Sequence, residues 1–136
     1  MLKKSIDIMT NSIVNILEDK QPSIYIFGSV TLNDFKLGWS DIDILCLTQD
    51  SITDGQMSEL VSLRQNLLEK YNDNKYFRSF EGGILTFNSF INKTRENAVY
   101  WGTSGQRITD SYTFDSFSMY ELISDGILLY GKDIRD

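Results

Sequence analysis

The chain has 136 residues, with 13 Lys and Arg against 19 Asp and Glu, a formal net charge of −6 and 41% hydrophobic residues. This length and composition predict one globular domain, residues 1–136, with a single core. A surface this acidic repels phosphate backbones, so no duplex nucleic acid is expected as a partner. No apolar run approaches the roughly 20 residues that cross a bilayer, so no membrane association is expected. With one cysteine, we expect a cytoplasmic location.

The chain contains no histidine. This absence excludes Ser-His-Asp and Cys-His nucleophilic schemes and also zinc held by histidine. Any catalysis must therefore use carboxylates, hydroxyls, amines, backbone dipoles or a metal held by oxygen. A bound divalent cation can reverse the local potential, so the acidic composition still allows a small anionic ligand.

Apolar periodicity predicts the first elements in chain order. Leu2, Ile6, Met9 and Ile13 recur at helical spacing, which predicts a helix over 2–19 that Pro22 ends. Residues 23–27 are β-rich and stop at a glycine, which predicts a strand meeting a tight turn. Residues 30–40 are predicted to form a short helix and a loop.

From residue 41 onward, the sequence predicts two more strands and two helices before a last short strand. A strand is expected over 41–47, where Asp-Ile-Asp-Ile is followed by an apolar run, and a helix capped by Thr53 or Asp54 should reach about Tyr71. The further predictions are a strand over 80–87, an irregular segment over 88–113, a helix over 114–125 and a strand over 127–130. The expected fold class is α/β (α+β), with a small mixed sheet flanked by helices.

The Asp41-Ile42-Asp43 tripeptide is the first candidate site. Residues two apart in a strand point to the same face, roughly 6.5–7 Å apart along the chain. Two carboxylates on a strand that is otherwise apolar repel each other, and a bound Mg²⁺ would relieve this repulsion because it prefers oxygen ligands. In the alternative interpretation, both aspartates lie at the solvated start of the strand.

Gly28-Ser29, directly after the preceding strand, is the second candidate. A glycine allows the backbone to approach a phosphate closely, and N–H groups at the start of a helix point towards bound anions. The Ser29 hydroxyl adds another donor. The alternative is an ordinary strand-to-helix turn in which Ser29 is the N-cap.

Together the two motifs are more specific than either is alone. The order is Phe27-Gly28-Ser29, a spacer over 30–40, then Ser40-Asp41-Ile42-Asp43-Ile44. This order resembles the nucleotidyltransferase superfamily that includes DNA polymerase β. The resemblance implies transfer of a nucleoside monophosphate from an NTP, with ATP expected, to an acceptor hydroxyl. It implies Mg²⁺ held by Asp41 and Asp43, nucleotide binding by Gly28 and Ser29, and a phosphate contact or an orienting role for Ser40.

Within the superfamily, the chain looks most like the N-terminal catalytic domain of streptomycin/spectinomycin-type aminoglycoside nucleotidyltransferases, including its tail over 125–133. In those enzymes a later strand carries an acid that acts as general base, and Glu81 is the candidate here. Glu81 could instead be a third metal ligand or an exposed strand acid. The resemblance implies a small-molecule hydroxyl acceptor of the aminoglycoside type, and therefore a role in antibiotic resistance.

One departure from that group leaves alternatives open. Its members usually carry a helical C-terminal domain, whereas this chain stops at Asp136. The chain is then either a fragment or a minimal nucleotidyltransferase similar to the antitoxin partners of HEPN toxins, which act on or bind a protein partner. A third hypothesis is a nucleotide-binding module without turnover.

The remaining candidates each have an equally simple structural explanation. Tyr100-Trp101 could stack on a base or sugar, or belong to the core. Cys46 lies in an apolar strand and is expected to be inert packing. Four cations could neutralise a triphosphate or be surface charges: Lys36, Arg78, Arg95 and Arg107.

Overall fold

The computed structural model describes residues 2–28, 41–94, 96–102, 105–110, 112, 114 and 116–135. The α-helices of this part are α1 (Leu2–Leu17), α2 (Asp54–Lys70), α3 (Phe87–Asn92) and α4 (Ser116–Asp125). Its strands are β1 (Pro22–Phe27), β2 (Ile42–Thr48), β3 (Phe80–Thr86), β4 (Ala98–Gly102), β5 (Gly105–Thr109) and β6 (Ile127–Tyr130). Short 3₁₀ segments span Glu18–Lys20 and Lys75–Ser79.

The strands form one sheet in the order β5-β4-β3-β2-β1-β6. Only β2 and β3 run parallel, and the other neighbouring pairs are antiparallel. The parallel pair is possible because α2 carries the chain back across the sheet between the two strands. The predicted class, a mixed sheet flanked by helices, is confirmed.

Helices α1 and α2 cover one face of the sheet. In α1 the residues at helical spacing, Ile6, Met9, Ile13 and Leu17, are buried against the strands. In α2 the Thr53 side chain accepts from the Gln56 backbone N–H, and the Gln56 side chain accepts from the Thr53 N–H. This capping box satisfies two backbone donors and sets the start of the helix.

The opposite face has a second, smaller core. Its buried members are Tyr25, Phe27, Leu45, Leu47, Leu85, Ala98 and Leu122, with side chains of α3 and α4 packed against them. Alternation along β2 places Leu45 and Leu47 on this face, while Ile42, Ile44 and Cys46 point to the first core. Asp43, by the same alternation, belongs to the face of the smaller core.

Two sequence predictions need correction. The helix predicted over 2–19 ends at Leu17 and is followed by the 3₁₀ segment Glu18–Lys20. Pro22 does not end the helix but is the first residue of β1, a position where a missing N–H is tolerated. The segment 88–113 was predicted to be irregular, yet it contains most of α3 together with β4 and β5. β5 lies at the sheet edge with the exposed Arg107 on it, so it has no alternating apolar pattern to detect.

Other boundaries agree within two residues, and the short helix and loop predicted for 30–40 lie outside the described residues. In the part of the chain that the structure describes, no helix has both the length and the apolar character needed to cross a membrane.

Candidate functional site

Three carboxylates meet at one end of the parallel strand pair. Asp43 in β2 is in register with Glu81 in β3, and Asp41 directly precedes β2. Residues in register on adjacent strands project from the same face, and Asp41 joins them because it lies two positions before Asp43. Asp41 and Glu81 share a side-chain hydrogen bond. The structure therefore brings together the three acids that the sequence singled out.

Burial and repulsion make this cluster electrostatically costly. Burial is the main cause that raises the pKa of Asp43 to about 7, and the charges of Asp41, Glu81 and Glu121 add to it. Burial also raises the pKa of Glu81 to about 7, together with the hydrogen bond to Asp41 and the Asp41 charge. Since each carboxylate disfavours ionisation of its neighbours, a cation bound here would lower the energy of the ionised cluster.

This cluster should make the stability of the protein depend on pH. The folded-state pKa of Asp43 and Glu81 lies above the unfolded value, so the folded protein holds more protons between about pH 4 and about pH 7. The unfolding free energy should therefore fall as pH rises through that window, by on the order of 1–2 kcal/mol after allowance for solvent screening. Urea denaturation at pH 5 and pH 8 measures the difference, and Asp43→Asn should reduce it. An equal pH dependence in that variant would contradict the assignment to this cluster.

Gly28 lies against the Asp43 carboxylate. Phe27 is in register with Asp43, and Gly28, the next residue, has a φ of 78°. A Cβ added to Gly28 would collide with the Oδ2 atom of Asp43. Glycine is favoured here on both counts, because a positive φ strains a residue that has a Cβ and the Asp43 carboxylate occupies the space that a Cβ would fill. The backbone that follows β1 thus starts beside the carboxylate cluster.

We expect Gly28→Ala to destabilise the protein by about 1–3 kcal/mol, because the new methyl group is strained at this φ and displaces the Asp43 carboxylate. The matched control is Gly55→Ala in α2, where the nearest atom to an added Cβ is Thr53 Oγ1 at 3.9 Å. The control should be neutral or slightly stabilising, since alanine favours helix. Thermal unfolding of both variants compares the two, and equal effects would contradict the close approach at Gly28.

Arg64 is a buried residue bordering the site that sequence reasoning missed. It lies in α2 and is only 8% exposed. Its Nη1 donates to the Phe80 carbonyl at 2.6 Å and its Nη2 to the Gly102 carbonyl at 3.0 Å. With the Gln106 amide oriented so that its oxygen faces Arg64, that oxygen also accepts from Nε and, at 2.8 Å, from Nη2. One guanidinium thus ties together β3, β4 and β5 beside Glu81.

The charge of Arg64 acts on the same cluster. Burial lowers the pKa of Arg64, and the negative charges of Glu81 and Asp41 oppose that shift. The sequence did contain a signal, because Arg64 stands on the buried stripe of α2 between Leu60 and Leu67. A charged residue at such a position must find partners inside the protein.

The structure assigns different positions to the remaining candidate residues from the sequence. Trp101 is a core residue that donates to the Leu60 carbonyl at 3.0 Å, whereas Tyr100 is half-buried with the Arg107 guanidinium 4.8 Å above its ring. Cys46 is fully buried, and burial raises the pKa of its thiol, so it is packing as expected. Four candidates lie outside the described residues: Ser29, Lys36, Ser40 and Arg95.

No group of three or more acidic or thiol side chains among the described residues is arranged to hold a metal by itself. Mg²⁺ is commonly bound by one or two carboxylates, with the remaining ligands from water or substrate phosphates. The carboxylates of Asp41 and Asp43, which repel each other, are compatible with that kind of site.

Comparison with known proteins assigns the family. The model of the nucleotidyltransferase domain matches residues 11–99. The chain belongs to the nucleotidyltransferase domain family. Within the matched range lie Gly28, Asp41, Asp43 and Glu81.

The other comparisons add little to this assignment. No curated protein matches the chain. A solved structure described as "the toxin-antitoxin with AMP-PNP" is similar at 20% identity and a TM-score of 0.44, over 90% of this chain and 73% of that chain. For this nucleotidyltransferase domain, the roles of individual site residues remain predictions.

Proposed function

We propose that this nucleotidyltransferase domain moves a nucleoside monophosphate from an NTP, with ATP as the expected donor, to an acceptor hydroxyl in a Mg²⁺-dependent reaction. The observation that supports this most directly is the contact between Gly28 and Asp43 within a cluster that also contains Asp41 and Glu81. A phosphate-binding turn and metal-binding carboxylates must be adjacent, because the ion and the turn hold the same triphosphate.

Asp41 and Asp43 are the proposed Mg²⁺ ligands. Their carboxylate oxygens are the donors that this ion prefers, and repulsion within the cluster favours a cation. When bound, Mg²⁺ neutralises charge on the phosphates and aligns them for in-line displacement. Ser40, adjacent to Asp41, would orient that carboxylate or contact a phosphate.

In the proposed transfer, Gly28, Ser29 and Glu81 have different roles. Gly28 and Ser29 hold the phosphates that will leave as pyrophosphate. The acceptor oxygen forms a bond to the α-phosphorus while the bond from that phosphorus to the pyrophosphate oxygen breaks. Glu81 accepts the proton of the attacking hydroxyl, for which a pKa near 7 is well suited because it lies close to the working pH.

The order of the strands supports a position for the proposed acceptor. Gly28 follows β1, the metal-binding pair belongs to β2, and Glu81 belongs to β3. In-line transfer places the attacking and leaving groups on opposite sides of the phosphorus. We therefore propose that the acceptor binds over β4 and β5, where Tyr100 and Arg107 are available to contact it. An aminoglycoside-type hydroxyl, with a resulting role in antibiotic resistance, is the specific acceptor that we propose.

A calorimetric titration with the four NTPs, with and without Mg²⁺, tests the donor half of this function. Mg²⁺-dependent binding is expected, with the tightest binding to ATP. A pyrophosphate-release assay with a panel of aminoglycosides and, separately, candidate protein partners then tests the acceptor half. Metal-dependent binding without release for any acceptor would favour a nucleotide-binding module instead, and absence of NTP binding would exclude the proposed function.

A further inference from the structure

A cleft of about 480 Å³ lies on the α2 side of the sheet, and Gly28 does not line it. It is formed by the second half of α2, the 3₁₀ segment that leads to β3, and the start of β5. Three cations line this cleft, Arg64, Lys75 and Arg78, against one carboxylate, Glu69. The local excess of positive charge contrasts with the net charge of −6 of the whole chain. We name this feature the Arg64 cleft.

The buried guanidinium at the base of the cleft has no direct carboxylate partner among the described residues, and the charges of Glu81 and Asp41 act on it only from beyond ion-pair distance. No carboxylate among the described residues forms an ion pair with Arg64, which bonds instead to main-chain carbonyls and to the Gln106 amide. Those contacts use four of its five N–H groups and leave one on Nη1. They also hold the guanidinium in a fixed orientation, which lowers the entropy cost of binding a ligand.

The rim of the cleft adds exposed positive charge to this buried guanidinium. Lys75 and Arg78 are exposed, and the amides of Gln65 and Gln106 add neutral hydrogen-bonding groups. A phosphate has several acceptor oxygens and suits guanidinium and ammonium donors together. A cleft lined by one sign of charge concentrates the field, so it attracts anions even on an acidic protein.

We infer that the Arg64 cleft binds the phosphate group of a small phosphorylated molecule. The ligand is either free inorganic phosphate or pyrophosphate, or the phosphate of an organic molecule such as a nucleoside monophosphate. The inference goes beyond the proposed transfer reaction, because the cleft is lined by none of the four described residues assigned to that site (Gly28, Asp41, Asp43 and Glu81). The two sites are linked electrostatically, since the charges of Glu81 and Asp41 act on Arg64.

The test is a titration of the full chain with pyrophosphate and, separately, with AMP, without Mg²⁺ and followed by NMR. Saturable shifts are expected in the Gln106 side-chain amide and the Arg64 Nε signal. The double variant Lys75→Gln/Arg78→Gln should weaken binding by about tenfold or more, since both charges are exposed and the fold should persist. The matched double variant Lys93→Gln/Lys132→Gln removes two exposed charges that do not line the cleft and should change affinity by less than about twofold.

Two further comparisons are needed, one between the two ligands and one between the wild type and Asp43→Asn. Binding of pyrophosphate but not AMP indicates an inorganic ligand, whereas tighter binding of AMP indicates an organic phosphate. Asp43→Asn should leave the affinity unchanged. The inference is overturned if neither probe saturates, if the two double variants weaken binding equally, or if Asp43→Asn abolishes binding, since the phosphate would then occupy the transfer site.

Discussion

Asp43→Asn should lower pyrophosphate release by about 10³-fold or more while leaving the fold intact, because it removes one of two carboxylates that hold the metal against the phosphates. The same change should raise the unfolding free energy at pH 8 without metal. The Asp43 carboxylate is partly buried and is repelled by Asp41 and Glu81, which an isosteric amide is not. A gain in stability together with a loss of activity would separate a metal ligand from a structural residue.

The measurement pairs a release assay with urea denaturation of the metal-free protein. Asp73→Asn is the control, since Asp73 is exposed and outside the carboxylate cluster. That control should leave both quantities near the wild-type values. Full activity in Asp43→Asn would show that the metal site lies elsewhere, and a large loss of stability would show that Asp43 supports the fold.

Glu81→Gln should lower transfer by about 10²–10⁴-fold, the usual contribution of a positioned general base. The affinity for Mg²⁺ and NTP should change by less than about twofold, because Glu81 is not a proposed ligand and the amide keeps the size of the side chain. Calorimetry with a slowly hydrolysed NTP analogue measures binding, and a single-turnover assay measures the chemical step.

Glu59→Gln provides the control, since this glutamate is exposed on α2 and distant in sequence from the strand residues of the site. If Glu81→Gln abolished nucleotide binding, Glu81 would be a metal ligand rather than a base. If transfer were unaffected, the proton would be taken by another group, and the role assigned to Glu81 would be wrong.

Much of the fold could be predicted because its elements carry local patterns. The apolar spacing of α1, the capping box of α2 and the β-rich runs of β1 and β2 each mark an element within a few neighbouring residues. β4 and β5 were missed for a physical reason. β4 is largely buried and so lacks alternation, and β5 is a mostly polar edge strand that owes its structure to pairing with β4.

Some residues of the candidate site could likewise be predicted from local sequence, and others could not. That Asp41 and Asp43 share a face follows from the two-residue period of a strand, and the turn at Gly28 follows from a glycine that directly ends a strand. Arg64 could not be assigned to the site from its own neighbours. Its partners Phe80 and Gly102 are 16 and 38 residues away, and only packing of α2 on the sheet brings them together.

The sequence alone determined which residues could do chemistry, because the absence of histidine and the spacing of Gly28, Asp41 and Asp43 are properties of the chain itself. Only the tertiary structure determined that Glu81 stands beside Asp43. Their alignment depends on parallel pairing of β2 with β3, and no local pattern specifies the register of two strands joined through a helix. Pairing and burial together raise the pKa of both acids, and they follow from long-range packing rather than from neighbouring residues.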